Sequence, residues 1–165
     1  MSRLDSVIRR LAAQRACLEA AARLIAELPG PVLEVGLGNG RTFDHLREIL
    51  PGREIFALDR RIAAHPDCLP DAAHTVVGDF RDTVPGLAGR LGGPAALAHC
   101  DTGSGDKTAS LALAAWLGPA LDPALAQAAV VASDQPMTVP GWQVVALPEG
   151  VAQERYFLYR KGSFC

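Results

Sequence analysis

Apolar residues in the first thirty positions recur mostly at three- and four-residue steps: Leu4, Val7, Ile8, Leu11, Leu18, Ala22, Ile25 and Leu28. Arginines and acids fill the gaps, so residues 1–30 read as an amphipathic helix packing on or capping the core. Pro29-Gly30-Pro31 ends it, since proline offers no backbone donor and glycine suits the reversal. A short apolar run, Val32–Val35, then enters a glycine-rich turn, and a second helix is predicted from about Thr42 to Leu50. The same scheme continues through apolar runs at Ile55–Leu58, Thr75–Val77, Ala95–Cys100 and Ala129–Ala132. Between them lie a short stretch after Asp59, a helical stretch near Asp82–Leu91 and a longer helix from Lys107 to Leu117. Strands alternating with helices predict a doubly wound α/β sheet, mostly parallel. The chain closes on Trp142–Leu147 and Arg155–Arg160, two strand-like runs joined by Pro148–Glu154, expected as an antiparallel hairpin at one sheet edge. Seven strands and one domain result, with residues 31–165 as the core.

Composition narrows the function. Apolar residues make up 49% of the 165 positions and charged residues 21%, an ordinary globular balance. The formal net charge of −2 supplies no basic excess to neutralise phosphates, so nucleic acid is not an expected partner. Arg60-Arg61 and Arg160-Lys161 are short clusters that read as solvated faces. No leader peptide and no membrane span are expected, because no apolar run is long enough. Cys17, Cys68, Cys100 and Cys165 form no CxxC pair, which fits a reduced cytoplasmic protein with inert thiols. Cys68, His65, His74, His99 and Cys100 match no closed zinc spacing.

The most informative stretch is Glu34-Val35-Gly36-Leu37-Gly38-Asn39-Gly40-Arg41-Thr42, three glycines at alternate positions between a strand and its helix. Glycine tolerates positive φ and lets a ligand lie against bare backbone. Open α/β sheets bind ligands at this place, beyond the carboxyl ends of the strands. Dinucleotide binders use GxGxxG, whose third glycine falls where Arg41 stands. Here the spacing is GxGxG, and Glu34 precedes it by two residues. A carboxylate there repels a pyrophosphate and suits a ligand bearing sulfonium and ammonium groups, which favours S-adenosylmethionine (SAM). An NAD(P)-binding oxidoreductase and a SAM-binding module without catalysis stay as alternatives, as does a turn that is tight for purely structural reasons.

These residues resemble the class I SAM-dependent methyltransferases. Glu34 to Gly40 match the superfamily's first motif, and Gln14-Arg15-Ala16-Cys17-Leu18 with Leu37–Thr42 resembles a small bacterial single-domain subgroup. The resemblance implies a Rossmann-like fold and places Gly36, Gly38, Asn39 and Gly40 against the methionine and ribose of SAM, with Glu34 orienting the amino-acid end. It implies Asp59 on the ribose hydroxyls, Asp79 and Phe80 at the adenine, Arg60 along the adenine face, and Asp101 at the rim shared by the methionine end and the acceptor. Asp101 and Asp106 are the candidates for a general base, whereas His99 reads as a strand residue. Asp101, Asp134 and Gln135 resemble the magnesium positions of catechol-type O-methyltransferases, but Gln135 replaces an expected Asn and Pro136 follows, so no metal is assigned. The family's helix between the fifth and sixth strands has no room within Gln135–Gly141. The acceptor pocket, expected to take a small molecule, then falls to short loops, to the N-terminal helix with Arg9, Arg10 and Arg15, or to a neighbouring subunit. Uncovered apolar surface predicts a homo-oligomer.

Overall fold

A computed structural model describes residues 2–162. Helix α1 (Arg3–Leu24) starts at a reciprocal cap: Ser2 Oγ accepts from the Asp5 amide at 3.0 Å, and Asp5 Oδ2 accepts from the Ser2 amide at 3.0 Å. Its end falls short of the predicted Leu28. The carbonyls released there are collected by the Arg53 guanidinium, which donates to Ile25, Leu28 and Gly30 at 2.8, 2.6 and 2.9 Å.

The predicted stripe holds only in its second half. Leu18 and Ile25 are buried, joined by Ala13, Gln14, Cys17 and Ala21, while Leu4, Val7 and Ile8 are 68%, 46% and 55% exposed. A helix of 22 residues outruns the sheet it lies on, so only its second half meets the core.

The sheet has seven strands: β1 (Val32–Val35), β2 (Ile55–Asp59), β3 (Thr75–Val77), β4 (Ala95–Cys100), β5 (Leu125–Ser133), β6 (Trp142–Val144) and β7 (Phe157–Lys161). Their order is β3-β2-β1-β4-β5-β7-β6. The first five run parallel, and β7 is antiparallel to both neighbours. The expected antiparallel pair at one end is therefore present, with β7 inserted between β5 and the edge strand β6. Chain order reverses between β1 and β4, which places the switch point beside the glycine turn.

Helices cover both faces. Cys17 and Leu18 of α1 share a core with Phe43 and Leu46 of α2 (Arg41–Ile49). On the other face Phe80 of the one-turn α3 (Phe80–Thr83) packs with Ala114, Leu117 and Leu121 of α4 (Lys107–Leu121). The helix predicted over Asp82–Leu91 shrinks to α3 and a 3-10 turn at Leu87–Gly89, because Pro85 interrupts it. Strand β5 begins four residues earlier than predicted. Its register on β4 jumps from Ala95↔Leu125 to Leu97↔Val130, a bulge accommodated by the positive φ (64°) of Ala128. No helix lies between β5 and β6. Among the described residues no helix is long and apolar enough to cross a membrane; Cys165 lies outside them.

Candidate functional site

The turn from β1 to α2 uses its three glycines in different ways. Gly36, Gly38 and Gly40 all have positive φ, at 93°, 53° and 83°. A Cβ on Gly36 would lie 2.2 Å from the Asp101 carbonyl oxygen, and one on Gly40 would lie 2.5 Å from that of Cys68. Those two glycines are required by protein packing. A Cβ on Gly38 would meet nothing within 4 Å, so at that residue the turn offers backbone to open space. The Gly38 amide donates to Asp59 Oδ2 at 2.9 Å, fastening the turn to the end of β2.

That open space is a cavity of about 500 Å³ beyond the carboxyl ends of β1, β2 and β4. Gly36, Gly38, Asp59, Arg60, Phe80 and Asp101 are among its walls, joined by Arg81 and the 102–104 loop. Volume alone would not single it out. A recess of about 550 Å³ lies under β6 and β7, and one of about 580 Å³ lies at the opposite, amino ends of the strands, around Pro29–Pro31. Of these three, lined by described residues, the switch-point cavity combines a bare turn, strand-end carboxylates and an aromatic wall.

The remaining residues singled out in the sequence stand around this cavity without being among its walls. Glu34 is fully buried beneath the turn. Thr42 Oγ1 donates to its Oε1, and His99 Nδ1 donates to its Oε2 at 2.6 Å. His99, also fully buried, bonds through Nε2 to the Tyr156 hydroxyl. Burial opposes charge on this imidazole, but the Glu34 carboxylate outweighs it and holds the His99 proton above the ordinary histidine range. Asn39 accepts from the Arg41 amide at 3.3 Å, shaping the turn. Asp79 caps α3 by accepting from the Arg81 amide at 2.9 Å and pairs with Arg60 at 3.3 Å. Asp106 caps α4, accepting from the Ala109 amide at 2.9 Å.

Asp101 is held from the side of α1. Gln14 Nε2 donates to its Oδ2 at 2.9 Å, and Arg10 approaches the same oxygen at 3.8 Å. Gln14, Thr42, His99 and Tyr156 surround the turn and Asp101, and spacing did not assign them. Gln14 and Thr42 carried a signal, as parts of the stretches that resemble the small subgroup.

Asp134 points back into protein, accepting from the Thr102 and Gly103 amides at 3.1 and 2.8 Å and from Gln135 Nε2 at 3.1 Å. Burial, reinforced by Asp101, raises its pKa. Among the described residues no three His, Cys, Asp or Glu side chains converge as a metal set. Beside it opens a second recess of about 550 Å³, lined by Lys107, Asp134, Glu154 and Phe157 and sharing Ser104 and Ser110 with the switch-point cavity.

Comparison with known proteins gives the family. A family described as S-adenosyl-L-methionine methyltransferase matches residues 1–161. The crystal structure of an S-adenosyl-L-methionine methyl transferase from Silicibacter pomeroyi DSS-3 is 42% identical, with a TM-score of 0.92 over 98% of this chain and 99% of that one. Two distant structures share the fold alone. TnmH is 15% identical with a TM-score of 0.54, over 96% of this chain and 57% of that one. The plantazolicin methyltransferase BpumL in complex with S-adenosylhomocysteine (SAH) is 16% identical with a TM-score of 0.52, over 76% and 46%. No curated protein matches. A bare turn at the switch point and a family match over nearly every residue lead to one conclusion: the chain belongs to the S-adenosyl-L-methionine methyltransferase family.

Proposed function

We propose that this chain transfers the methyl group of SAM to a small-molecule acceptor, with SAM lying across the switch-point cavity. The observation that carries the reading is Gly38, where unobstructed backbone faces the cavity while its amide is tied to Asp59. Asp59 accepts from the ribose hydroxyls, a good geometry for two vicinal donors. Asp79 and Phe80 serve the adenine end with Arg60 along its face, and Gly36 and Asp101 serve the methionine end. Glu34, Asn39 and Gly40 act by holding the turn in shape.

When bound, SAM supplies an electrophilic methyl on a sulfonium that leaves as a neutral thioether. The chain's own work is orientation, which can contribute roughly 7–11 kcal/mol. Asp106 is engaged as a helix cap and Asp101 is held by Gln14 and Arg10, so neither candidate carboxylate stands free as a general base in this arrangement. The acceptor enters through the recess beside Asp134 and Phe157, which opens toward the cavity at Ser104 and Ser110. Its volume suits a metabolite rather than a macromolecule.

Titration calorimetry tests the reading: heat with SAH and none with NADH is expected, and the reverse overturns it. Release of SAH from SAM in the presence of a metabolite panel, with and without magnesium, then identifies the acceptor. The exposed apolar turns of α1 and the exposed Val144 on edge strand β6 support a homo-oligomer, which a clean monomer in light scattering would refute. Free Cys17, Cys68 and Cys100 support a reduced, cytoplasmic setting; burial pushes the Cys17 thiol up to about 11 and keeps it inert.

A further inference from the structure

The amino-acid end of SAM carries both an α-ammonium and an α-carboxylate, so a complementary site needs both signs of charge. Resting on the cofactor reading above, the cavity walls supply the negative partner in Asp101. Their arginines stand toward other parts of the ligand: Arg60 lies 3.3 Å from Asp79 at the adenine end, and the Arg81 guanidinium stacks 4.9 Å over the Trp116 ring. Among the described residues the cation within ion-pair distance of Asp101 belongs to α1: Arg10, 3.8 Å from Oδ2.

Helix geometry explains why this arginine is the one in place. Arg10 and Gln14 are four residues apart, hence on one face, and both reach the same carboxylate oxygen. Gln14 is buried and fixes the carboxylate. Arg10 is half exposed and its contact is long, an ion pair that opens easily. Asp101 Oδ1 accepts no hydrogen bond among the described residues. Arg9 points about 100° around the helix, and Arg15 pairs with Glu19 at 3.9 Å.

We propose that Arg10 binds the α-carboxylate of SAM while Asp101, steadied by Gln14, takes the α-ammonium. The ligand's two charges then replace the Arg10–Asp101 contact one for one, and α1 forms the wall of the amino-acid subsite. This assigns the N-terminal helix to cofactor recognition.

The test is calorimetry on the full chain with two probes, SAH and 5′-methylthioadenosine, which keeps base, ribose and sulfur but lacks the amino-acid carbons. Arg10→Met should weaken SAH about 10- to 100-fold, the range for losing a hydrogen bond to a charged group. Binding of 5′-methylthioadenosine should stay within about twofold, because its contacts are remote from α1. Arg10→Lys should retain part of the SAH affinity, and Arg9→Met all of it. Unchanged SAH affinity in Arg10→Met, or an equal loss for both probes, overturns the proposal. The cofactor reading is tested separately: it fails if the unaltered chain binds neither probe, and it survives if Asp59→Ala weakens both while Arg10→Met weakens neither.

Discussion

Two of the places where this molecule buries acidic or basic side chains differ in what they touch. Beneath the glycine turn, Glu34 and His99 are fully enclosed and reach Thr42 at the start of α2 and Tyr156 ahead of β7. At the far edge, Lys161 of β7 is nearly buried and donates to the carbonyls of Asp122 and Leu125 at 2.7 and 3.1 Å. Its ammonium also lies 3.3 Å from the Asp122 carboxylate, which accepts from Trp142 of β6 at 2.7 Å. Both sites pin strands to helices. The first lies directly under the turn that faces the cavity, whereas the second ties β6 and β7 to the end of α4. Burying charge is therefore a general fastening device here, and only its position relative to the switch point gives it a bearing on the ligand.

The strongest way to break that contrast is His99→Leu. Removing the imidazole leaves the Glu34 carboxylate enclosed with one remaining partner, Thr42, and takes from the Tyr156 hydroxyl its bond to His99. A loss of about 3–5 kcal/mol in chemical denaturation is expected, against a total of about 5–15 kcal/mol for a domain. Adding Glu34→Gln should recover part of it, because the amide carries no charge to leave unpaired. A loss below about 1 kcal/mol would mean that Glu34 and His99 are not a charged pair.

Lys161→Met should cost less, about 1–3 kcal/mol, since it abandons two carbonyls and a partly exposed carboxylate. SAH affinity should stay within about twofold, given the distance between the sites. A marked fall in calorimetry would show that the far edge couples to the cavity after all. Asp59→Ala should do the opposite, weakening SAH about 10- to 100-fold while changing unfolding free energy by less than about 1 kcal/mol.

How much of this could be read in advance follows from the same contrast. The strands were legible because a parallel sheet covered on both faces needs unbroken apolar runs, and Ala95–Cys100 is buried at every position. The turn was legible because alternate glycines have few uses between a strand and a helix. What could not be read were partners far apart in sequence. His99 meets Glu34 across 65 positions and Tyr156 across 57. Periodicity reports which residues avoid water within an element, and it cannot report which polar groups meet across elements. The α1 stripe was right at Leu18 and Ile25 and missed at its start for a related reason: small residues such as Ala13, Cys17 and Ala21 share the close contact, while the larger Leu4, Val7 and Ile8 lie beyond the sheet.

The smallest effect belongs to His74, which serves as the surface counterpart of His99. His74 Nδ1 lies 2.7 Å from Asp71 and its Nε2 lies 3.3 Å from Glu54, and these carboxylates raise its pKa. The charged form is thus favoured in the fold, so its stabilisation is complete below about pH 6.5, the ordinary histidine value. It disappears as pH rises through the higher folded value. Both carboxylates face water, which limits the effect to less than about 1 kcal/mol. His74→Gln should therefore lower Tm slightly at pH 5.5 and leave it unchanged near pH 9. His99 also has a raised pKa, but its loss should be felt at both pH values, because an unpaired Glu34 remains enclosed once the imidazole is gone. Equal pH dependence in the two variants would show that burial does not separate a structural charge pair from a titrating surface one.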